Sequence, residues 1–478
     1  MDKATLIAQS YQFTPTEEQF IFCSEMASFL SRQLDGQCFI LRGYAGTGKT
    51  TSVAALVKAL PKFTLRSVLL APTGRAAKVM SNYTGRKALT IHKKIYRKKT
   101  AVSTDMSFQL APTLAEHTLF IVDEASMIAD EWNTQTGSSF LKDLMEFVYN
   151  GKNCAVVFVG DTAQLPPVGS IDSPALNKEY VATNFGMRVT AVELKEVVRQ
   201  EKKSGILANA TMLRRLINDD SEKEKVELPK FITKNYKDIF RMTGVKFVEG
   251  LEYAYNKFGI ENSLVVCRSN KSANIYNQQI RSRLLYREEE LTGGDQIMVV
   301  RNNYFWLPEN ESTAFIANGD MARIRRVRGI EERYGFRFCE VQLEFLDFPD
   351  AGEITCKVIL DTLTAETPNL SYEQSNKLFE GLNLDYDHIS NKRDRFNKIK
   401  DDPYYNALQI KFAYAVTCHK AQGGQWDAVF VDQGYLTEEM IDMDFLRWLY
   451  TGVTRAKKEL FLVNFAQNLF SSPAEEQF

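Results

Sequence analysis

The eight residues GYAGTGKT, Gly43 to Thr50, satisfy G-x-x-x-x-G-K-[ST] at each fixed position. That spacing suits the wrapping of phosphate groups. Glycines let successive backbone N–H groups approach an anion with no Cβ in the way, and a helix that starts there adds the positive end of its dipole. Lys49 is placed to reach β- and γ-phosphates, and Thr50 to ligate Mg²⁺. Gly43, Ala45, Gly46, Thr47, Gly48, Lys49, Thr50 and Thr51 are the expected nucleotide-binding residues. A second motif, IVDEASM at 121–127, ends an apolar run in two adjacent carboxylates. Asp123 can hold Mg²⁺, and Glu124 can polarise an attacking water. Adjacent Asp and Glu argue for hydrolysis of a nucleoside triphosphate rather than binding alone.

Two glutamines extend this set. Gln164, in VFVGDTAQLPPVG (157–169), lies on a loop stiffened by two prolines. Its amide can donate and accept at once, so it can sense a γ-phosphate; a rigid crossover loop is the other reading. Gln19, in FTPTEEQ (13–19), carries the amide geometry that pairs with the N6/N7 edge of adenine, although an exposed helix glutamine is the commoner case.

Each motif sits at the end of a short apolar run. CFIL (38–41), SVLLAP (67–72), TLFIVDE (118–124) and CAVVFVGD (154–161) read as buried parallel strands, with helical stretches such as TTSVAALVKAL (50–60) between them. A second series follows: SLVVCRSN (263–270), FAYAVTCHK (412–420), WDAVFVDQ (426–433) and ELFLVNF (459–465). From about 290 to 365 apolar and polar residues alternate between turn signals, which predicts antiparallel β structure. The expected class is α/β, with two parallel-sheet domains and a small β-rich, barrel-like insertion in the second. The expected divisions are 1–200 for the first domain, 201–262 for a linker and helical start, 263–295 with 407–478 for the second domain, and 296–406 for the insertion.

The chain has 478 residues, 44% hydrophobic and 25% charged, with net charge −1. A global polycation is excluded, so any nucleic acid must meet a local basic surface. One exists: RKALTIHKKIYRKK, 86–99, holds seven Lys/Arg, one His and no acid. Such a run cancels phosphate charge, and Tyr96 within it could stack on a base. Thr73 and Arg75, at a strand-to-helix turn in APTGRAAK, suit phosphate contact. Asn302, Asn303, Tyr304 and Trp306 form an aromatic-rich patch, either a further contact or core. Seven scattered cysteines without a CxxC pair read as free thiols in a reducing compartment. No signal-peptide pattern and no membrane-length apolar run is visible, so a cytoplasmic location is expected.

Taken in order, GYAGTGKT, APTGRAAK (71–78), ALTIHKK (88–94), IVDEASM, GDTAQLPPVG, ELKEVVRQ (193–200), NKSANIYNQQIR, ANGD (317–320), AYAVTCHKAQGGQWD (413–427) and YTGVTRAKK (450–458) form one series. With this series the chain resembles superfamily 1 helicases, specifically the 5′-to-3′ group with RecD-like and Dda-like enzymes. The resemblance runs from about residue 13 to 465. It implies two RecA-like P-loop NTPase domains with ATP and Mg²⁺ between them, and single-stranded DNA and its junctions with duplex as the partner.

The same resemblance implies that Arg199 and Arg455 reach the nucleotide, alongside Lys49, Glu124 and Gln164 as catalytic groups. An arginine fork there would stabilise charge spread over the transferring phosphoryl oxygens. It also implies Gly424 at the nucleotide cleft, with Gln422 and Gly423, and Thr73, Arg75, Thr90, His92, Lys93, Thr417, His419 and Lys420 on DNA. A duplex-splitting pin is expected near 94–116, with Tyr96, Met106 and Phe108 as wedge candidates. The leading expectation is a helicase moving 5′-to-3′, for which a monomer can suffice because one chain carries both halves of the ATP site. The alternatives are a DNA-stimulated translocase that displaces proteins with little unwinding, and a slowly hydrolysing nucleotide switch.

Overall fold

The computed structural model describes residues 2–98, 108–133, 138–167, 169–196, 204–219, 226–307, 316–346 and 352–471. The first sheet has six parallel strands in the order Arg188–Leu194, Gln37–Gly43, Lys152–Gly160, Glu116–Val122, Arg66–Ala71, Ala88–Thr90. Both faces are covered. Along one strand Phe39 and Leu41 enter one apolar core while Cys38 and Ile40 enter the other. That explains why these strands read as unbroken apolar runs rather than alternating ones.

The second sheet has five parallel strands: Ile239–Met242, Ala456–Val463, Trp426–Asp432, Ser263–Cys267, Ala415–Thr417. Its first strand lies inside 201–262, where a linker and helical start are expected. IFRM is only four residues long, two of them half-buried, between charged stretches, so no long apolar run marks it. The helix Gly205–Asp219 is not a free solvated element either; it packs against the helix Met443–Val453.

The insertion is a closed five-stranded barrel of Gln296–Val299, Met321–Arg333, Phe336–Phe345, Glu353–Ile359 and Leu408–Phe412. The helices Tyr372–Asp385 and Lys392–Lys400 plug one end, burying Leu378, Leu382 and Ile399 against Phe336 and Phe338. The last barrel strand lies beyond the expected limit of 296–406. The expected single strand 412–420 also divides: Leu408–Phe412 closes the barrel and Ala415–Thr417 joins the sheet. Apolar residues run continuously through both, so hydropathy marks no break. The two ends of the insertion enter side by side, Ile297 opposite Phe412. Buried Asp295 pins this neck. It takes Nε and Nη2 of Arg281 at 3.0 Å each, Nη1 of Arg287 at 2.6 Å and the Tyr414 hydroxyl at 2.9 Å.

All seven cysteines are buried and unpaired. Among the described residues no helix is long and apolar enough to cross a membrane.

Candidate active site and nucleic-acid path

The phosphate loop leaves the strand Gln37–Gly43 and enters the helix Lys49–Ala59. Gly46 and Gly48 hold φ of 84° and 86°, a left-handed backbone that turns N–H groups inward and that side chains resist. The Lys49 ammonium donates to the Gly43 and Tyr44 carbonyls at 2.6 and 2.9 Å. Thr47 is held by its hydroxyl on the Tyr44 carbonyl at 2.9 Å.

The strand Glu116–Val122 delivers Asp123 and Glu124 to the same edge. Asp123 accepts from the Tyr83 hydroxyl at 2.6 Å and from the Glu124 backbone N–H at 2.8 Å. Glu124 sits at φ 52°, a strained left-handed turn that aims its side chain. Burial pushes its carboxyl above the ordinary range; Arg455 and Lys49 pull it back, while Asp123 and Asp161 push it further up. Lys49, Asp123 and Asp161 of the first domain and Arg455 of the second thus all act electrostatically on one carboxylate. Among the described residues no group of three or more Asp, Glu, His or Cys side chains is gathered to hold a metal ion, so a divalent cation here would rest on Thr50 and Asp123 together with the phosphates of the nucleotide.

Gln19 forms a capping box with Thr16, its carbonyl taking the Thr16 N–H at 3.1 Å. Its amide nitrogen is fully buried with no partner. A buried orphan donor costs free energy unless a ligand acceptor meets it, and a purine nitrogen is such an acceptor. Gln164 is likewise buried, its side-chain carbonyl without a partner. Gly43, Ala45 and Thr51 lie along the same loop and helix start; Arg199 lies outside the described residues.

The second domain closes on this edge through the expected Gln422 and Arg455 and through two side chains the sequence reading did not assign, Tyr450 and Thr451. The Tyr450 hydroxyl accepts the Ala45 N–H at 2.9 Å and donates to Asp161 at 2.7 Å. Thr451 accepts the Leu165 N–H at 2.9 Å, and Gln422 donates to the Leu165 carbonyl at 2.8 Å. Arg455 is buried, its guanidinium on the carbonyls of Thr451 and Gly424 at 3.0 and 3.2 Å. A polar Tyr-Thr pair on the buried side of the largely apolar helix stretch DFLRWLYTGV was the available signal for Tyr450 and Thr451.

Gly423 and Gly424 lie on the first domain. A Cβ on Gly423, where φ is 73°, would meet the Ala76 Cβ at 2.8 Å. One on Gly424 would meet the Trp426 ring at 2.4 Å and the Arg75 Cδ at 2.9 Å. The Arg75 guanidinium stacks 4.0 Å over Trp426, so this expected phosphate contact also joins the two domains. Thr73 and Thr90 cap their helices, accepting from Ala76 and Lys93 N–H groups at 3.2 Å each.

Around the expected DNA path, burial lowers the Lys93, His419 and Lys420 pKa values, with Asp320 and Asp444 opposing for the first two. His92 stacks on Phe140 at 4.4 Å, and burial lowers its pKa to about 4. Thr417 stands at the start of the short helix Cys418–Ala421, which carries His419 and Lys420. Tyr96 is tied to Asp143 at 2.5 Å and packs beside His92 and Phe140, so it is partly core. Tyr96–Lys98 pairs with Phe108–Leu110 as an antiparallel ribbon within the expected pin. Met106 and the Phe108 side chain lie outside the described residues. Asn303 and Trp306 both donate to the Asn406 carbonyl at 2.7 Å, fixing that patch to the barrel neck.

Residues 29–228 match the family model described as an AAA domain, and 412–463 that of a UvrD-like helicase C-terminal domain. An uncharacterised protein, R530 of Acanthamoeba polyphaga mimivirus, is 22% identical across 93% of this chain and 98% of its own. The ATP-dependent DNA helicase dda of Enterobacteria phage T4 is 24% identical across 88% of this chain and 93% of its own. The ATP-dependent RecD2 DNA helicase of Deinococcus radiodurans is 32% identical over 39% of this chain and 23% of its own. Among solved structures, a Pif1 helicase from Bacteroides with ADP-AlF3 and single-stranded DNA aligns over 96% of this chain and 95% of its own, at 14% identity and TM-score 0.47.

Proposed function

We propose that this chain, a relative of the Dda-like and RecD-like superfamily 1 helicases, is an ATP-driven DNA helicase that translocates 5′-to-3′ on single-stranded DNA and opens duplex ahead of it. The observation that carries the reading is the second domain's Tyr450, hydrogen-bonded at once to the phosphate loop and to Asp161 of the first domain. A site assembled from two domains is completed only when they close. Hydrolysis is then tied to their relative position, which is what a motor requires.

In this mechanism the phosphate loop and Lys49 grip the β- and γ-phosphates, and Gln19 takes the base through its spare amide hydrogen. Glu124 orients water for in-line attack and accepts its proton. Its raised pKa suits that task, because a base held nearer neutrality receives a proton more readily. Arg455, and Arg199 by resemblance, spread positive charge over the transferring phosphoryl oxygens. Thr50 and Asp123 would hold Mg²⁺, which when bound would neutralise phosphate charge. Gln164 senses the γ-phosphate from the loop that also carries Asp161, and Gln422 hydrogen-bonds that loop to the segment 417–424. Loss of the γ-phosphate therefore loosens the second domain's hold on the strand contacted by Thr417, His419 and Lys420. Thr73, Arg75, Thr90, His92 and Lys93 hold the strand from the first domain, so the two grips alternate. The ribbon around Tyr96–Lys98 and Phe108–Leu110 is the duplex-splitting element.

Steady-state ATP hydrolysis, measured with and without a single-stranded DNA oligonucleotide at two salt concentrations, tests the reading. Strong stimulation that fades with salt is expected. Duplexes with a 5′ or a 3′ tail then report direction. Hydrolysis indifferent to DNA would remove the motor.

A further inference from the structure

The phosphate loop's Ala45 N–H does not point into open solvent. It donates to the Tyr450 hydroxyl, 2.9 Å away, on a helix of the other domain. The same hydroxyl donates onward to Asp161 at 2.7 Å. Tyr450 is 1% exposed and Asp161 fully buried, so neither bond has water to replace it. The second Asp161 oxygen takes the Ala163 N–H at 3.0 Å, one residue before Gln164. The neighbouring Thr451 holds Leu165, one residue after it, and its carbonyl takes the Arg455 guanidinium. One phenol thus touches the phosphate loop and the Gln164 loop while riding on the helix that leads to Arg455. A phenol hydroxyl can accept from an N–H and give to a carboxylate through one atom, which a phenyl ring cannot.

We infer that Tyr450 is a positioning residue: its hydroxyl ties the phosphate loop to the Gln164 loop and sets Arg455 in place when the domains close. It touches no reacting atom. It acts through Asp161 and Arg455, and the inference rests on the ATP-hydrolysis reading given above.

Tyr450→Phe keeps the ring in its buried seat and removes only the oxygen, leaving Ala45 N–H and Asp161 unmatched. The expected result is a loss of roughly tenfold to a hundredfold in kcat for DNA-stimulated ATP hydrolysis, with KM for ATP and affinity for ADP within about threefold. A residue that merely stabilises the fold would not give that split. Against an Arg455→Ala background the same substitution should cost less than about threefold, because the two act as a unit. An unchanged kcat, or equal losses in both backgrounds, would overturn the inference. Should Tyr450→Phe fail to fold by circular dichroism, Asp161→Asn carries the same test. It keeps an acceptor for the phenol but loses the charge, and it should lower kcat without raising KM; an unaltered kcat there also overturns the inference. The parent protein measured in parallel keeps the two ideas apart. A parent without DNA-stimulated hydrolysis removes the motor reading, whereas a stimulated parent with an indifferent variant removes only the role of Tyr450.

Discussion

Replacing Glu124 by Gln keeps the shape of the side chain and removes its capacity to take a proton. Turnover should fall by at least ~100-fold while ATP and single-stranded DNA still bind within a few-fold of the parent, as read by steady-state hydrolysis and fluorescence titration. Sustained turnover would move the base elsewhere. His92 offers a test of a different kind. Its pKa is lowered by burial from 6.5 to about 4 beside Phe140. The unfolded chain therefore takes up this proton first as pH falls through 6.5, and the folded protein loses stability until about pH 4, where the folded imidazole also protonates. His92→Phe keeps the stack and removes the proton. Unfolding by urea at pH 7 and pH 4.5 should show a smaller acid loss in the variant, the difference being at most ~3 kcal/mol. Equal acid sensitivity would mean the imidazole is solvated.

At the level of elements, the stretch Gln422–Gly424 explains its own composition. Gly424→Ala would drive a Cβ into the Trp426 ring and the Arg75 stem, prising apart a stack that joins the two domains. Overpacking of this kind costs about 1–3 kcal/mol, and here the strain falls on domain closure. DNA-stimulated hydrolysis should drop several-fold while nucleotide affinity of the first domain, measured with ADP, stays unchanged; normal turnover would show that the contact is dispensable. The sequence supplied the phosphate loop, Asp123 and Glu124 at their observed places, because each lies at the end of an apolar strand whose residues are buried on both faces. It did not supply Tyr450 or Thr451. Their partners, Ala45, Asp161 and Leu165, are nearly three hundred residues or more away, and no local pattern encodes a bond of that span. The strand Ile239–Met242 was hidden for a different reason: four residues, half of them only half-buried, give no period to detect. Arg75 was read by its local turn, and its partner Trp426 became visible only with the two domains in contact.

For the molecule as a whole, the proposed mechanism puts both halves of the ATP site on one chain, so turnover per chain should not depend on protein concentration. An equimolar mixture of Lys49→Ala and Arg455→Ala proteins should stay inactive, since neither chain contains a complete site. Recovery of hydrolysis in the mixture would mean that Arg455 reaches across to a second copy. The barrel's neck, closed by Ile297 against Phe412 and locked by Asp295, has a consequence for how the protein is made. The first sheet is complete once Leu194 has been added, whereas the second needs Val463. At ~5–20 residues per second, some tens of seconds of translation separate the two. During that interval a finished phosphate-binding domain leaves the ribosome with no partner, and the barrel can close its own ring before the sheet it interrupts exists. The strands Trp426–Asp432 and Ala456–Val463, which lie inside the second sheet, come last. On the proposed mechanism a nascent chain can therefore hold nucleotide long before it can spend it, and hydrolysis waits until Arg455 emerges.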